Sequence, residues 1–532
     1  MTAFEPDDIR WVVMSDLHLG DDGSLLTSVD PDTYAVDPRR GSDTLTALVA
    51  VLRDMVERND GTARPTLIVN GDFLDLAFSR FNIALMHFQR FAELVLEPGN
   101  ELFDRIVFLP GNHDHHLWEM ARETQYARTI ADARAGDLPP MRHSTSPHLE
   151  EGVSSFLLSR LLRSVRPNEP EEQRLRRLAV VYPNLILSDG GDRAAILHHG
   201  HYAEGIYHLV SRAYRWLFPG RPEPHTLESI EGENFAWIDF FWSLLGRSGD
   251  AGKDIETLSE MLHYPEHVGD YADQLAERAA AARDIPWIPT AALEKRALKK
   301  VFSMVAERFA GERFHRDRVC TAETMGVLAR YLFGPTLEQV RTSLGEVPAD
   351  LSFLWGHTHK PFEKILRDTR TGREVAVYNS GGWVIDSLSP SPTIGASAIL
   401  LNESLDVASL RFFYDAPGGG SIVFEVVRPG GVQDFDVEPT PAAPLPAPGE
   451  GGGECLAAEP GGGMPVEEGE REAAEPSGRA PDDAGVRLDF ARAMQRRVRA
   501  SVAGGGGWDE LAERIRAGIL LRRRRLEATF GP

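Results

Sequence analysis

The chain has 532 residues, of which 57 are Lys or Arg and 80 are Asp or Glu, for a formal net charge of −23. That balance excludes a long nucleic-acid duplex as the main partner, because affinity for a duplex rests on basic side chains set against phosphates. Two cysteines, Cys320 and Cys455, lie in different kinds of segment and exclude a disulfide framework.

Strands are expected where short, branched apolar runs stop at Gly, Pro, Asn or Asp. Residues 11–14 form the first run and lead into Ser15-Asp16-Leu17-His18, where Asp16 and His18 fall on one side of an extended chain. A polar loop follows, then a helix over about 42–58, capped by Ser42 or Asp43, with Leu45, Leu48, Val49, Leu52 and Met55 along one face. Residues 67–69 make a second strand running into Asn70-Gly71-Asp72-Phe73-Leu74-Asp75. A helix over about 82–96 connects to a third strand, 105–109, which closes at Pro110-Gly111 and delivers Asn112-His113-Asp114. Taken alone, that last turn reads equally as the cap of a following helix. Strand–helix–strand repetition predicts a largely parallel sheet.

The stretch 119–177 is polar and Arg-rich, with helices expected near 117–134 and 152–165. Strands resume at 179–182, 184–188 and 194–197, the last delivering His198-His199-Gly200-His201. Residues 202–347 predict a mainly helical insertion. Its aromatic patches (Tyr207, Tyr214, Trp216, Phe218; Trp237, Phe240, Phe241, Trp242) suit the core of a helical subdomain, or a cap overhanging the loops at its two ends. Residues 351–355 run into Gly356-His357-Thr358-His359, and further strands at 374–379, 397–401, 408–414 and 422–427 predict a second, antiparallel-rich sheet. Residues 432–483, dominated by Pro, Gly, Glu and Ala, read as a disordered acidic linker. The end of the chain, 484–532, is Arg-rich with two helical patterns split by Gly504-Gly505-Gly506-Gly507. It reads as an amphipathic tail, solvated or docked on the core, or else as a tether to an anionic membrane surface or acidic partner. The N-terminus has neither the basic region nor the apolar core of a signal peptide. The most apolar helical patch, 235–245, is too short for a bilayer and contains Asp239, so the expected location is cytoplasmic, with peripheral association at the inner membrane surface left open through the tail.

Five apolar strands thus deliver oxygen or imidazole donors at their C-terminal ends, where α/β sheets place their sites. No cysteine occurs among them, which favours metals that prefer N and O ligands over a structural zinc knot. The ordered set Asp-x-His, Gly-Asp-x-x-Asp, Gly-Asn-His-Asp, His-Gly-His and Gly-His-Thr-His resembles the calcineurin-like metallophosphoesterase superfamily, over roughly the first four-fifths of the chain. The resemblance implies an α/β fold, a four-layer α-β-β-α sandwich spanning 1–431 with 202–347 as a helical cap. It implies two divalent ions (Mn, Fe, Zn, Co or Ni), one held by Asp16, His18, Asp72 and His359, the other by Asp72, Asn112, His199 and His357. Asp72 is the bridging carboxylate in that scheme. His113 is the catalytic histidine, and Asp75 orients it or another ligand. His199 is preferred to His198 because the family's ligand precedes the glycine. His201 is a further candidate for contact with substrate, His115 and His116 read as helix-start residues, and Arg80 as a phosphate contact or a surface ion pair.

The implied activity is hydrolysis of a phosphate monoester, diester or pyrophosphate by a metal-activated hydroxide, on a small or lipid-linked substrate. Pyrophosphatases of the superfamily that act on acylated UDP-glucosamine share the Asp-x-His-Leu opening, but they carry Asn-Arg-Asp where this chain has Asn112-His113-Asp114. The competing class is a scaffold recruited through the tail to a membrane or partner, with catalysis secondary or lost.

Overall fold

The computed structural model describes residues 3–220, 222–239, 318–437 and 483–530. Its strands, in chain order, are β1 (Trp11–Met14), β2 (Thr66–Val69), β3 (Ile106–Phe108), β4 (Val153–Ser154), β5 (Leu178–Val180), β6 (Asn184–Ser188) and β7 (Arg193–His198). After the insertion come β8 (Asp350–Trp355), β9 (Phe362–Asp368), β10 (Glu374–Asn379), β11 (Gly395–Leu401), β12 (Val407–Tyr414), β13 (Ser421–Val427) and β14 (Val432–Phe435). The helices are α1 (Asp43–Val56), α2 (Phe81–Leu96), α3 (His115–Asp132), α4 (Phe156–Leu161), α5 (Glu171–Arg176), α6 (Leu209–Leu217), α7 (Leu227–Ile238), α8 (Ala322–Tyr331), α9 (Leu337–Leu344), α10 (Asp483–Ala503) and α11 (Trp508–Phe530).

Two sheets lie face to face. One runs β13-β12-β11-β1-β2-β3-β5-β4, the other β14-β9-β10-β8-β7-β6. Period-two alternation decides which face each side chain takes. On β1, Trp11 and Val13 point into the layer between the sheets with Ile68, Val107, Leu197 and Leu354. Val12 and Met14 point outward, against a core shared with α1 and α2. The second sheet repeats the arrangement, with Ile196, Phe353 and Trp355 facing Leu328 of α8 and Leu332. Each such aliphatic or aromatic side chain contributes roughly 1.5–3 kcal/mol by burial. Helix α1 starts where expected, the Ser42 hydroxyl accepting from the Leu45 amide at 2.9 Å.

Four sequence expectations are corrected. The strands after the last motif do not build the second sheet together. β11, β12 and β13 extend the first sheet antiparallel from β1, while β10 joins the second. The stretch 152–165 begins as β4 paired to β5 before its short helix. Strand β9, which pairs antiparallel with β10, is an addition to the expected strands. The linker cannot start at Val432, because β14 pairs in parallel with β9. Its polar-looking Val-Gln-Asp-Phe sequence is that of an edge strand, not of a solvated linker. Residues 438–482 of that linker, 240–317 of the insertion, and with them Phe240, Phe241 and Trp242, lie outside the described residues.

The C-terminal pair docks on the first sheet. Phe490, Met494 and Val498 of α10 and Trp508, Leu511, Ile515 and Ile519 of α11 enter the same core as Leu45, Leu48 and Val51 of α1. Three of the four consecutive arginines serve that docking. Arg522 donates to the Ser24 and Thr27 carbonyls, Arg523 pairs with Asp415, and Arg525 pairs with Asp22. Only Arg524 of the four is exposed. No helix among the described residues is long and apolar enough to cross a membrane.

Candidate metal centre

β1, β2 and β3 are parallel to one another, and β7 is parallel to β8, so each group presents its C-terminal ends on one edge. Asn70 clamps the two groups together across the sandwich, its amide donating to the carbonyls of His198 at 3.0 Å and Leu354 at 3.1 Å. The chain then bends sharply at each loop. Asp16, His18, Asp72, His357 and His359 all have left-handed backbones, with φ of 53°, 45°, 50°, 69° and 56°. Such residues cost of order 1–3 kcal/mol each and persist only where neighbours over-determine them. Here the His357 amide donates to the Asp16 carboxylate at 2.9 Å, the His18 amide to the Asp72 carbonyl at 2.9 Å, and the His113 amide to Asp72 Oδ1 at 2.8 Å. Glycines beside the ligands make room for them. A Cβ at Gly71 would stand 2.0 Å from His199 Nδ1, and one at Gly111 would stand 2.3 Å from Asp72 Oδ1.

The donors converge in two groups about Asp72. In the first, His359 Nε2 lies 3.3 Å from Asp16 Oδ1 and 3.2 Å from His18 Nε2. In the second, His199 Nε2 lies 3.2 Å from Asp72 Oδ2, 3.1 Å from Asn112 Oδ1 and 3.3 Å from His357 Nδ1. Asp72 Oδ2 is also 3.6 Å from His18 Nε2, so one carboxylate faces both groups. Within each of the triads Asp16–His18–His359 and Asp72–His199–His357 the donor atoms lie within 4.8 Å of one another.

The electrostatics fit a cation. Asp16, Asp72 and Asp75 are fully buried, which opposes their ionisation, yet the histidines win. His359 holds Asp16 down at about 2, and the charges of His199 and His113 keep Asp72 well below the usual carboxylate range. Beyond its 3.2 Å approach to His199 Nε2, Asp72 Oδ2 has no well-formed hydrogen bond among the described residues. Burial lowers His199, but Asp72 beside it prevails and pushes it up to about 9. The pocket therefore requires positive charge, and a proton on His199 or a divalent ion can supply it. Imidazole, carboxylate and amide oxygen are the donors that Mn, Fe, Co, Ni and Zn accept.

Asp75 faces two imidazoles at once, its Oδ2 lying 3.2 Å from His18 Nδ1 and 3.2 Å from His113 Nδ1. Its other oxygen accepts from the Phe78 amide at 2.8 Å. Asp114, at the N-cap position of α3, makes no side-chain cap. Its oxygens instead accept from the Gly111 amide at 2.7 Å and the Phe73 amide at 2.8 Å, tying the second and third motif loops together. His198 turns away from the donor groups onto Tyr331, and His201 packs between Tyr202 and Tyr207. His115 is buried against Tyr182 and Phe235, His116 pairs with Glu119, and Arg80 is exposed before α2.

Several neighbours of the centre belong to none of the five motifs. Glu204 Oε2 lies 3.5 Å from His357 Nε2, and the Tyr207 ring stands edge-on to His357. The Phe78 ring does the same to His113. Asp21 joins His18 and Asp75, where burial and the Asp75 charge raise it to about 6. Ser15 and Asn70 each directly precede a motif, and position is a signal that points to them. Nothing in the sequence marks Glu204.

A double cluster of buried N and O donors sharing one carboxylate, at the C-terminal edge of a two-sheet sandwich, defines a candidate binuclear metal centre. Residues 9–230 match the family model for calcineurin-like phosphoesterases. His357 and His359 come from beyond the matched span, on the loop after β8. No curated protein matches the chain.

Proposed function

We propose that the protein is a metal-dependent phosphohydrolase acting on a phosphate monoester, diester or pyrophosphate. The observation that carries this reading is the convergence of five strand-end loops on Asp72, with a donor triad to either side. One divalent ion would be held by Asp16, His18, Asp72 and His359, and a second by Asp72, Asn112, His199 and His357. When bound, such a pair lowers the pKa of a water and offsets negative charge on phosphoryl oxygens.

The chain's own residues do the rest. Asp72 faces both positions through one anionic oxygen, Oδ2, while Oδ1 accepts from the His113 amide, and neutral Asn112 leaves the centre positive enough for an anionic substrate. His113, engaged through Nδ1 with Asp75, is the residue that carries a proton to the departing oxygen in this reading. Burial lowers the His113 imidazole below its ordinary value, and Asp75 opposes that shift while fixing the ring orientation. A tether role for the arginine run is not favoured, because Arg522, Arg523 and Arg525 are engaged within the fold. The test is hydrolysis of nitrophenyl phosphate and bis-nitrophenyl phosphate by protein reconstituted with Mn²⁺. Turnover of either ester, absent from Asp72→Asn, is expected. Two bound Mn²⁺ with no turnover of these or any pyrophosphate ester would leave a binding protein instead.

A further inference from the structure

The loop after His18 is held from two directions. On one side Trp383 donates its amide to the Asp16 carbonyl at 3.0 Å, and its own carbonyl accepts from the Leu25 amide at 2.8 Å. Within the loop, the Ser24 hydroxyl donates to the Leu17 carbonyl at 2.6 Å, and the Thr27 hydroxyl accepts from the Gly20 amide at 2.9 Å. These bonds bracket His18, whose left-handed backbone needs outside support.

The other side is held by the far end of the chain. One nitrogen of Arg522, Nη2, donates to the Ser24 carbonyl at 2.6 Å and the Thr27 carbonyl at 2.7 Å, 498 and 495 positions away in sequence. Arg522 is only 4% exposed. Burying a guanidinium is unfavourable unless its donors and charge are matched. The two carbonyls take the donors of Nη2, Nε has no hydrogen-bond partner among the described residues, and the nearby carboxylates of Asp22 and Asp21 oppose the loss of its charge. Burial lowers it to about 10, which leaves it a cation at neutral pH. Arg525 adds a pair with Asp22, and Gly518 of α11 lies against Leu25.

We propose that Arg522 is a positioning residue for the metal centre, acting through Ser24 and Thr27 to hold the loop that sets His18. The inference rests on the reading of Asp16, His18 and His359 as ligands to one ion. On this account α11 completes the active unit, although it lies far beyond the span that matches the family.

The experiment is Mn²⁺ binding by equilibrium dialysis on the full chain, with ester hydrolysis measured against Mn²⁺ concentration and amide exchange followed over residues 17–27. Arg522→Met is expected to weaken one of two Mn²⁺ sites by roughly tenfold or more, as loss of a ligand's support does. The same variant should speed exchange in that loop and leave the second site unchanged. Arg522→Lys, which can serve one carbonyl, should fall between, and exposed Arg524→Ala should match the wild type. Equal Mn²⁺ affinity in wild type and Arg522→Met overturns the proposal. If Arg522→Met does not fold, Arg522→Lys carries the test, and unchanged Mn²⁺ affinity with unchanged exchange over residues 17–27 overturns it likewise. A wild-type chain that binds no Mn²⁺ refutes the metal centre itself, a result separate from any effect of Arg522.

Discussion

The two halves of the centre are built alike at the donors and differently behind them. In the half with Asp16, His18 and His359, the carboxylate of Asp75 backs His18, and the supporting loop is held by α11. In the half with Asn112, His199 and His357, His199 is backed by a neutral group, the Asn70 carbonyl at 3.1 Å from Nδ1. His357 is backed by Glu204, from the first turn of the insertion. A carboxylate behind an imidazole strengthens it as a ligand and fixes its tautomer, whereas a carbonyl fixes the tautomer with less added charge. The first half is therefore set by the core and tail, and the second is exposed to whatever the insertion does.

The widest effect should come from the residue that belongs to both halves. Asp72→Asn is expected to lower ester hydrolysis on the order of a thousandfold or more and to weaken both Mn²⁺ sites, read by metal analysis after dialysis. Loss of only one site would break the symmetry assigned to Asp72.

Asp75→Asn should act on the first half alone, with roughly 10–100-fold weaker Mn²⁺ binding at one site. Because Asp75 also orients His113, kcat should fall more than KM rises. An effect on metal binding without one on kcat would separate His113 from the chemistry. Glu204→Gln should act on the second half alone and more weakly, by roughly tenfold in affinity. The pair of variants measures the comparison directly, since each should leave the other's site as it was.

The smallest effect on chemistry, but a clear one on stability, is expected at Glu231 of α7. This side chain is fully buried, accepts a bond from the Tyr182 hydroxyl at 2.9 Å, and is pushed up to about 8 by burial. The folded protein thus keeps a proton that the unfolded chain releases at about 4.5, the group's ordinary value. Its stabilising contribution is full below that value and is lost as pH rises toward about 8. Glu231→Gln should flatten this dependence, raising stability at pH 8 relative to wild type by about 2–3 kcal/mol while kcat stays within about twofold. Denaturant titrations at pH 5 and pH 8 would show it, and an unchanged pH slope would contradict a neutral buried Glu231.

Much of the centre is legible in the sequence because its motifs are local. Asp16 and His18, or Asn112 and His113, sit within a few residues of a strand end, and a short apolar run stopped by Gly or Pro is a strong signal for such an end. The three parallel strands β1 to β3 are legible for the same reason. The assignment of β11 to β13 is not, because period-two alternation says which face a strand buries and nothing about which neighbour it pairs with. β14 hides in the composition of the linker because an edge strand needs little apolar content to pair.

By itself the sequence determined the donors: which residue types stand at five strand ends, in what order, and with no thiol among them. Tertiary structure alone decided what stands behind those donors. Asp75, expected to orient one ligand, is shared between two histidines, and Glu204 against His357 and Arg522 beneath the Ser24 and Thr27 carbonyls are contacts brought together by folding. A run of arginines carries the same letters whether it meets water, a membrane or a buried carbonyl. Only packing, by excluding water from three of the four, assigns them to the core.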